Sequence, residues 1–215
     1  MQNFESTADR IHRVFEARSA RRDQALSQAR TLIRHCANAI RAIHRGETSL
    51  ADKHIAEAAQ IVDSIHDQLK DYPDLYYAGY TQDALKEYAE ARLVYVLINN
   101  EPMPSPEDLK LQHATFLQGL AESVGELRRR CLDMLLKGES QEATRLLTVM
   151  EDIYALLVTM DYPDAITGGL RRLTDLARGI TERTRGDVTL SLRQEHLEDS
   201  LRRLESRLGD QPGSN

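Results

Sequence analysis

Apolar residues recur at steps of three and four along most of the chain, which is the spacing of amphipathic helices. The first such segment runs from about Glu5 to His44, and Gly46 follows it with the left-handed residue that commonly ends a helix. We therefore predict one long helix here. A straight helix and one bent near Arg18 both fit the pattern.

Further helices are bounded by capping residues and prolines. Thr81 is a candidate cap for the third helix, and Ser105 followed by Pro106 gives a strong start signal for the fourth. Gly168-Gly169 and Gly186 are alternative breaks that would divide the last segment into a helix pair. The five helical segments after the first are predicted over residues 50–70, 82–99, 105–137, 141–160 and 165–208.

No segment shows the strict alternation of a half-buried strand. The chain has no tryptophan, 5% aromatic residues and 11 glycines in 215 residues, which argues against a sandwich or barrel. We predict an all-α, single-domain bundle of six or seven helices over residues 1–208, followed by a disordered tail over residues 209–215. Helices this long leave faces that one protomer does not cover, so association of several copies is expected.

The composition also limits which cellular compartment and which binding partners are expected for this protein. Two cysteines cannot form a dense disulfide frame or a four-cysteine zinc site, so a reduced, cytoplasmic chain is expected. The polar start is unlike a secretory signal, and no run of 18 apolar residues predicts a membrane span. The net charge of -6 argues against a uniformly basic nucleic-acid coat but leaves room for a local basic stripe.

Two acids in the third predicted helix interrupt an apolar face. At 100° per residue, Glu90 falls between Leu93, Val94 and Leu97, and Glu87 lies about 60° to one side. A buried carboxylate is costly unless it is paired or bound to a metal. Three kinds of partner stay open: a metal cation, an arginine of a neighbouring helix in a structural salt bridge, and a proton shared between the acids.

Other acids extend this candidate site. Asp152 lies on the flank of the apolar stripe of the fifth helix, whereas Glu151 points away from it and Glu126 is expected to be exposed on the fourth. Oxygen ligands from several helices suit Mg²⁺ or Mn²⁺. A ferritin-like iron site would need Glu-x-x-His motifs, and the sequence has none. Solvated or locally bonded side chains are expected at His54, His66, His113 and His196, and small buried hydrophobes at Cys36 and Cys131.

Arginine clusters on the first helix, where Arg21 and Arg22 lie, around Arg129 on the fourth, and on the last helix. A solvated charged face explains such clusters, and so does phosphate binding, because the guanidinium fork matches phosphate oxygens.

Several short blocks in a characteristic order resemble the translin superfamily, and specifically the archaeal proteins similar to translin-associated factor X. The blocks are residues 37–47 (ANAIRAIHRGE), Glu87-x-x-Glu90-Ala91, Gly125-Glu126-Leu127-x-Arg129, Glu151-Asp152-Ile153-Tyr154 and Asp161-Tyr162-Pro163. Together with arginine-rich blocks near residues 170–187, they span roughly residues 5–205.

The resemblance implies a seven-helix protomer in a hollow, roughly octameric homo-oligomer that binds single-stranded or frayed nucleic acid, with RNA preferred. It implies a Mg²⁺-dependent endoribonuclease with Glu87, Glu90 and Asp152 as catalytic acids and metal ligands. Glu126 matches a glutamate of both the nuclease and the binding branch and joins the ligand set. In this hypothesis Arg21, Arg22 and Arg129 hold the nucleic-acid backbone. A non-catalytic RNA- or DNA-binding ring is the alternative, and a helical scaffold without nucleic acid is a third possibility.

Overall fold

A computed structural model describes residues 2–209 of the chain and the side chains of residues 4–207. Within that range the structure consists of α-helices without a strand, which confirms the predicted all-α class. The helices are α1 (Gln2–Arg45), α2 (Thr48–Leu69), α3 (Pro73–Tyr76), α4 (Gly79–Ile98), α5 (His113–Leu136), α6 (Ser140–Val158), α7 (Asp164–Thr167) and α8 (Leu170–Gly209).

Helices α4 and α5 form the middle of the bundle. Helix α1 packs against α2 on one side and α4 on the other, while α5 packs against α4, α6 and α8. Fully buried leucines line these contacts, among them Leu32, Leu93 and Leu127. Buried residues occur on several sides of α4, which is the expected composition of a helix that neighbours enclose. The glutamates of α4 therefore belong to a helix that other helices largely surround.

The predicted start of the fourth long helix is wrong by about two turns. Ser105 and Asp108 do exchange the capping hydrogen bonds that the sequence indicates: the Ser105 amide donates to Asp108 Oδ2 at 2.9 Å, and the Asp108 amide donates to Ser105 Oγ at 3.1 Å. However, Lys110 takes a positive φ of 56°, which no helix continues through, so α5 begins only at His113. Similarly, Thr81 does not cap α4 but lies inside it and donates to the Leu75 carbonyl.

Of the two predicted glycine breaks in the last helical segment, the one that forms has two consecutive residues in the left-handed conformation. Gly168 and Gly169 have φ values of 59° and 84° and separate α7 from α8, whereas α8 continues through Gly186. Helix α1 likewise continues through Arg18. Of the predicted tail, Gly209 is the last residue of α8, and residues 210–215 lie outside the described residues.

Two helical ends extend beyond the bundle. Residues 4–24 of α1 are almost all exposed, and Ala25 is the first buried position of this helix. Phe4 is 82% exposed and Phe15 64%, and Leu197 and Leu204 near the end of α8 are also exposed. These apolar faces are the uncovered surfaces that the sequence predicts. Among the described residues, every helix is too short or too polar to cross a membrane.

Candidate functional site

Three glutamates from α4 and α5 converge at one place. Glu87 and Glu90 lie one turn apart on α4, and Glu122 reaches them from α5. One carboxylate oxygen from each lies within 4.8 Å of the other two, and all three side chains are half-buried. We call these residues the acidic cluster.

Gly119 explains why the two helices come close enough to form it. A Cβ atom at this position would lie 2.5 Å from the Ala89 Cβ and 2.9 Å from the Glu90 amide nitrogen. Both distances are shorter than van der Waals contact, so only glycine allows the backbone of α5 to touch α4 here. Glu122 follows Gly119 by almost one turn, which places its carboxylate beside Glu90.

Positive charge is scarce around the cluster. Burial is the main cause that raises the pKa of Glu90 to about 8, and the negative charges of Glu87, Glu122 and Glu126 add to it. Burial also raises the pKa of Glu87. Lys86 opposes these shifts, but its ammonium donates to Glu122 at 2.8 Å. The two free acids therefore have little local compensation.

This arrangement bears on which partner the acids in α4 have. Within residues 4–207 of one protomer, neither Glu87 nor Glu90 forms an ion pair with an arginine, so this chain alone does not form the expected salt bridge. Three crowded, partly buried carboxylates, of which Glu87 and Glu90 have a raised pKa, are oxygen donors that suit a hard divalent cation. The residues present fit a magnesium or manganese ion.

Glu126 stands one turn beyond Glu122 on α5 and behaves differently. His44 Nε2, from the end of α1, lies 2.5 Å from its carboxylate, and the His44 side chain is only 3% exposed. This hydrogen bond is the main cause that lowers the pKa of Glu126. Glu126 is 28% exposed, so its predicted exposed position is wrong: contact with α1 covers it. The site therefore combines one carboxyl whose pKa is raised, Glu90, with one whose pKa is lowered, Glu126, and such a difference is typical of functional sites.

Asp152 is not part of the cluster. It is exposed on α6, so its predicted inward position is wrong. Glu151, which the pattern turned outward, is half-buried because α8 packs beside it and Arg185 lies 2.8 Å from its carboxylate. The role of Asp152 as a catalytic acid stays a prediction.

Sequence reasoning missed Glu122 and His44. A usable signal for Glu122 was present: Gly119, Glu122 and Glu126 share one face of α5, and a glycine in a helix interior often marks a close helix contact. His44 carries no comparable signal, because its contact depends on where the end of α1 lies relative to Glu126 of α5.

The arginines named from the sequence lie at different distances from the cluster. Arg129 is exposed one turn from Glu126, with 3.7 Å between its guanidinium and that carboxylate. Arg21 and Arg22 are exposed on the extending part of α1. Cys36 of α1 lies near the acidic cluster, since the charges of Glu87 and Glu90 contribute to its raised pKa. At 1.5 Å per residue, Arg21 and Arg22 lie roughly 20 Å along α1 from Cys36.

Neither cysteine is reactive in this fold. Burial raises the pKa of Cys36, with the charges of Glu87 and Glu90 adding to it, and burial raises the pKa of Cys131 to about 11. Both thiols stay protonated near neutral pH, so their prediction as small buried hydrophobes is confirmed.

The raised pKa of Glu90 predicts how stability depends on pH. Its pKa in the folded chain, about 8, is above its ordinary value of 4.5, so folding favours the protonated acid. The stabilisation is complete below pH 4.5 and is lost as pH rises through 8. In EDTA, the free energy of unfolding from urea titrations should therefore be lower at pH 9 than at pH 6.

Two variants check this assignment. Glu90→Gln should lose most of the difference between the two pH values, whereas Glu16→Gln on the exposed part of α1 should keep it. An unchanged pH difference in Glu90→Gln would show that another group causes it.

Comparisons with known proteins agree with this fold. No model of a known protein family matches the chain. An uncharacterized protein of Methanocaldococcus jannaschii is 30% identical over 187 residues, which are 86% of this chain and 82% of that protein. The structure of AfC3PO in complex with duplex RNA has a TM-score of 0.80 and 32% identity, covering 86% of this chain and 96% of that one. A crystal structure of AfC3PO gives 0.79 and 33% over the same shares. Apo-NeC3PO, with a TM-score of 0.79 and 22% identity over 85% of this chain and 96% of its own, shows the shared fold alone.

Proposed function

The chain belongs to the translin superfamily, and we propose that it is a metal-dependent endoribonuclease of that superfamily. The observation that carries this proposal is the convergence of Glu87, Glu90 and Glu122 with too little positive charge around them. RNA as the substrate class is supported by AfC3PO, a relative with 32% identity whose structure is a complex with duplex RNA.

The acidic cluster would hold Mg²⁺ or Mn²⁺, with Glu126 beside it. When bound, such an ion supplies an activated water nucleophile and stabilises negative charge on the scissile phosphate. Glu90 carries a proton in the metal-free protein near neutral pH, because its pKa is about 8, and it must release that proton to become a ligand. His44 fixes the orientation of the Glu126 carboxylate through its Nε2 hydrogen bond.

Arginines would place the RNA. Arg129 is the proposed phosphate ligand nearest the acids, because its guanidinium is exposed and only loosely engaged by Glu126. Arg21 and Arg22 would bind phosphates farther along the strand. Each phosphate that these arginines neutralise releases counterions, so binding should weaken with added salt.

The proposal includes assembly into a homo-oligomer, with an octamer as the expected size. The exposed apolar faces on residues 4–24 of α1 and on the end of α8 support it, because a single copy leaves them in water. Light scattering on the preparation used for cleavage assays would give the mass of the particle.

The non-catalytic RNA-binding ring is the second candidate, and one observation favours it. Asp152, the third catalytic acid that the family resemblance implies, is exposed on α6 and lies outside the acidic cluster. If that carboxylate is required for hydrolysis and does not reach the site, RNA would bind without being cleaved.

A metal-dependence assay separates the two candidates. The purified chain is incubated with end-labelled single-stranded RNA and with duplex RNA, in Mg²⁺, in Mn²⁺ and in EDTA, and binding is measured in parallel by gel shift. We expect cleavage in either metal and none in EDTA, with the single-stranded substrate cut faster. Gel shifts without cleavage in both metals would contradict the nuclease and support the binding ring.

A further inference from the structure

A second cluster of ligand-type side chains lies between α1 and α2. His54 and Glu57 are one turn apart on α2, and His35 of α1 faces them. The Nδ1 atoms of the two histidines are 3.2 Å apart, and Glu57 Oε2 lies 2.9 Å from His35 Nδ1 and 3.3 Å from His54 Nδ1. We propose that these three residues form a binding site for a first-row transition metal ion such as Zn²⁺, separate from the acidic cluster.

The three distances match the spacing that a shared ion imposes. Donor atoms about 2.0–2.1 Å from one metal ion lie roughly 2.9 Å apart in octahedral geometry and about 3.4 Å apart in tetrahedral geometry. The three atoms His35 Nδ1, His54 Nδ1 and Glu57 Oε2 form a nearly equilateral triangle within that range. An ion just above its plane would touch all three without any movement of the helices.

The donor chemistry selects the class of ion. Two imidazole nitrogens and one carboxylate oxygen suit zinc and its neighbours, whereas the oxygen-only acidic cluster suits Mg²⁺. Three protein ligands also leave a coordination position for water. The side chains of His35, His54 and Glu57 are 22%, 17% and 37% exposed, so an ion can reach them from solvent.

A structural hydrogen-bond network is the competing explanation of the same geometry. With one proton between the two Nδ1 atoms, one ring can donate to the other or to Glu57 without a metal. The two explanations differ in measurable ways, because only the metal site binds an ion tightly and gains stability from it.

The test uses the full, tag-free chain and Zn²⁺ alone, titrated by isothermal calorimetry, with Co²⁺ absorption reporting nitrogen-containing coordination. Wild type should bind one tight Zn²⁺ per chain, and Zn²⁺ should raise its thermal midpoint. Glu57→Gln and His54→Ala should each lower the affinity at least tenfold and remove the thermal shift. Because Glu57 is partly exposed and glutamine keeps its shape, Glu57→Gln carries the test if His54→Ala does not fold.

Two matched variants locate the binding. His113→Ala removes an exposed histidine whose Nε2 lies 3.1 Å from Glu107, and Glu90→Gln alters the acidic cluster. Both should keep the tight Zn²⁺ site. Unchanged affinity in Glu57→Gln and His54→Ala, or loss of tight binding in Glu90→Gln, would overturn the proposal. Since the nuclease assay uses Mg²⁺ and the acidic cluster, either proposal can fail while the other stands.

Discussion

Glu90→Gln is expected to lower RNA cleavage by roughly a thousand-fold, because a bound metal contributes several kcal/mol of transition-state stabilisation. Glutamine keeps the size of the side chain and its half-buried position but cannot supply a negative oxygen. The substitution also removes the costly buried acid, so the metal-free variant should be at least as stable as wild type above pH 8. A loss of activity without a loss of stability in urea titrations would therefore be attributed to the metal site and not to unfolding.

Cleavage rates at saturating Mg²⁺ would be measured for wild type, Glu90→Gln and the surface control Glu16→Gln. The control should match wild type, and Glu90→Gln should keep its gel shift, since the proposed phosphate ligand Arg129 is untouched. Cleavage by Glu90→Gln within tenfold of wild type would contradict the metal-site assignment. A large loss in Asp152→Asn in the same assay would show that α6 supplies an acid from its exposed face.

The six long helices could be predicted from the sequence because their signals are local. Apolar spacing sets which face is buried, and Gly46 and Gly168-Gly169 end helices through their own backbone preferences. The interior position of Glu90 was visible for the same reason, since it requires only the rotation of one helix. The capping signal at Ser105 is also local and does form, but the positive φ of Lys110 stops the turn from growing into a helix.

The contacts that could not be predicted from the sequence depend on how the helices pack against one another. Glu122 joins the cluster because α5 approaches α4 at Gly119, and His44 meets Glu126 because the bundle brings the end of α1 within reach of that side chain. Asp152 was misplaced because the apolar stripe of α6 does not show that α8 covers Glu151 instead. Periodicity along one helix carries no information about the register between two.

Gly119 should therefore be the most sensitive position in the α4–α5 contact, and alanine is the smallest change that tests it. The added Cβ would stand 2.5 Å from the Ala89 Cβ and 2.9 Å from the Lys86 carbonyl oxygen. Neither is the end of a flexible side chain, so the helices must move apart. Overpacking of this kind costs about 1–3 kcal/mol, which exceeds the gain of about 0.5–1 kcal/mol from replacing a helical glycine.

Gly125→Ala in the same helix is the matched control, because nothing lies within 4 Å of its added Cβ. It should raise the free energy of unfolding by about 0.5–1 kcal/mol, whereas Gly119→Ala should lower it on balance. Urea titrations of both variants in EDTA would measure the opposite signs. Gly119→Ala should also lose RNA cleavage, because separating α5 from α4 pulls Glu122 away from Glu87 and Glu90. Equal stabilisation by the two substitutions would show that the close approach at Gly119 does not hold the acidic cluster together.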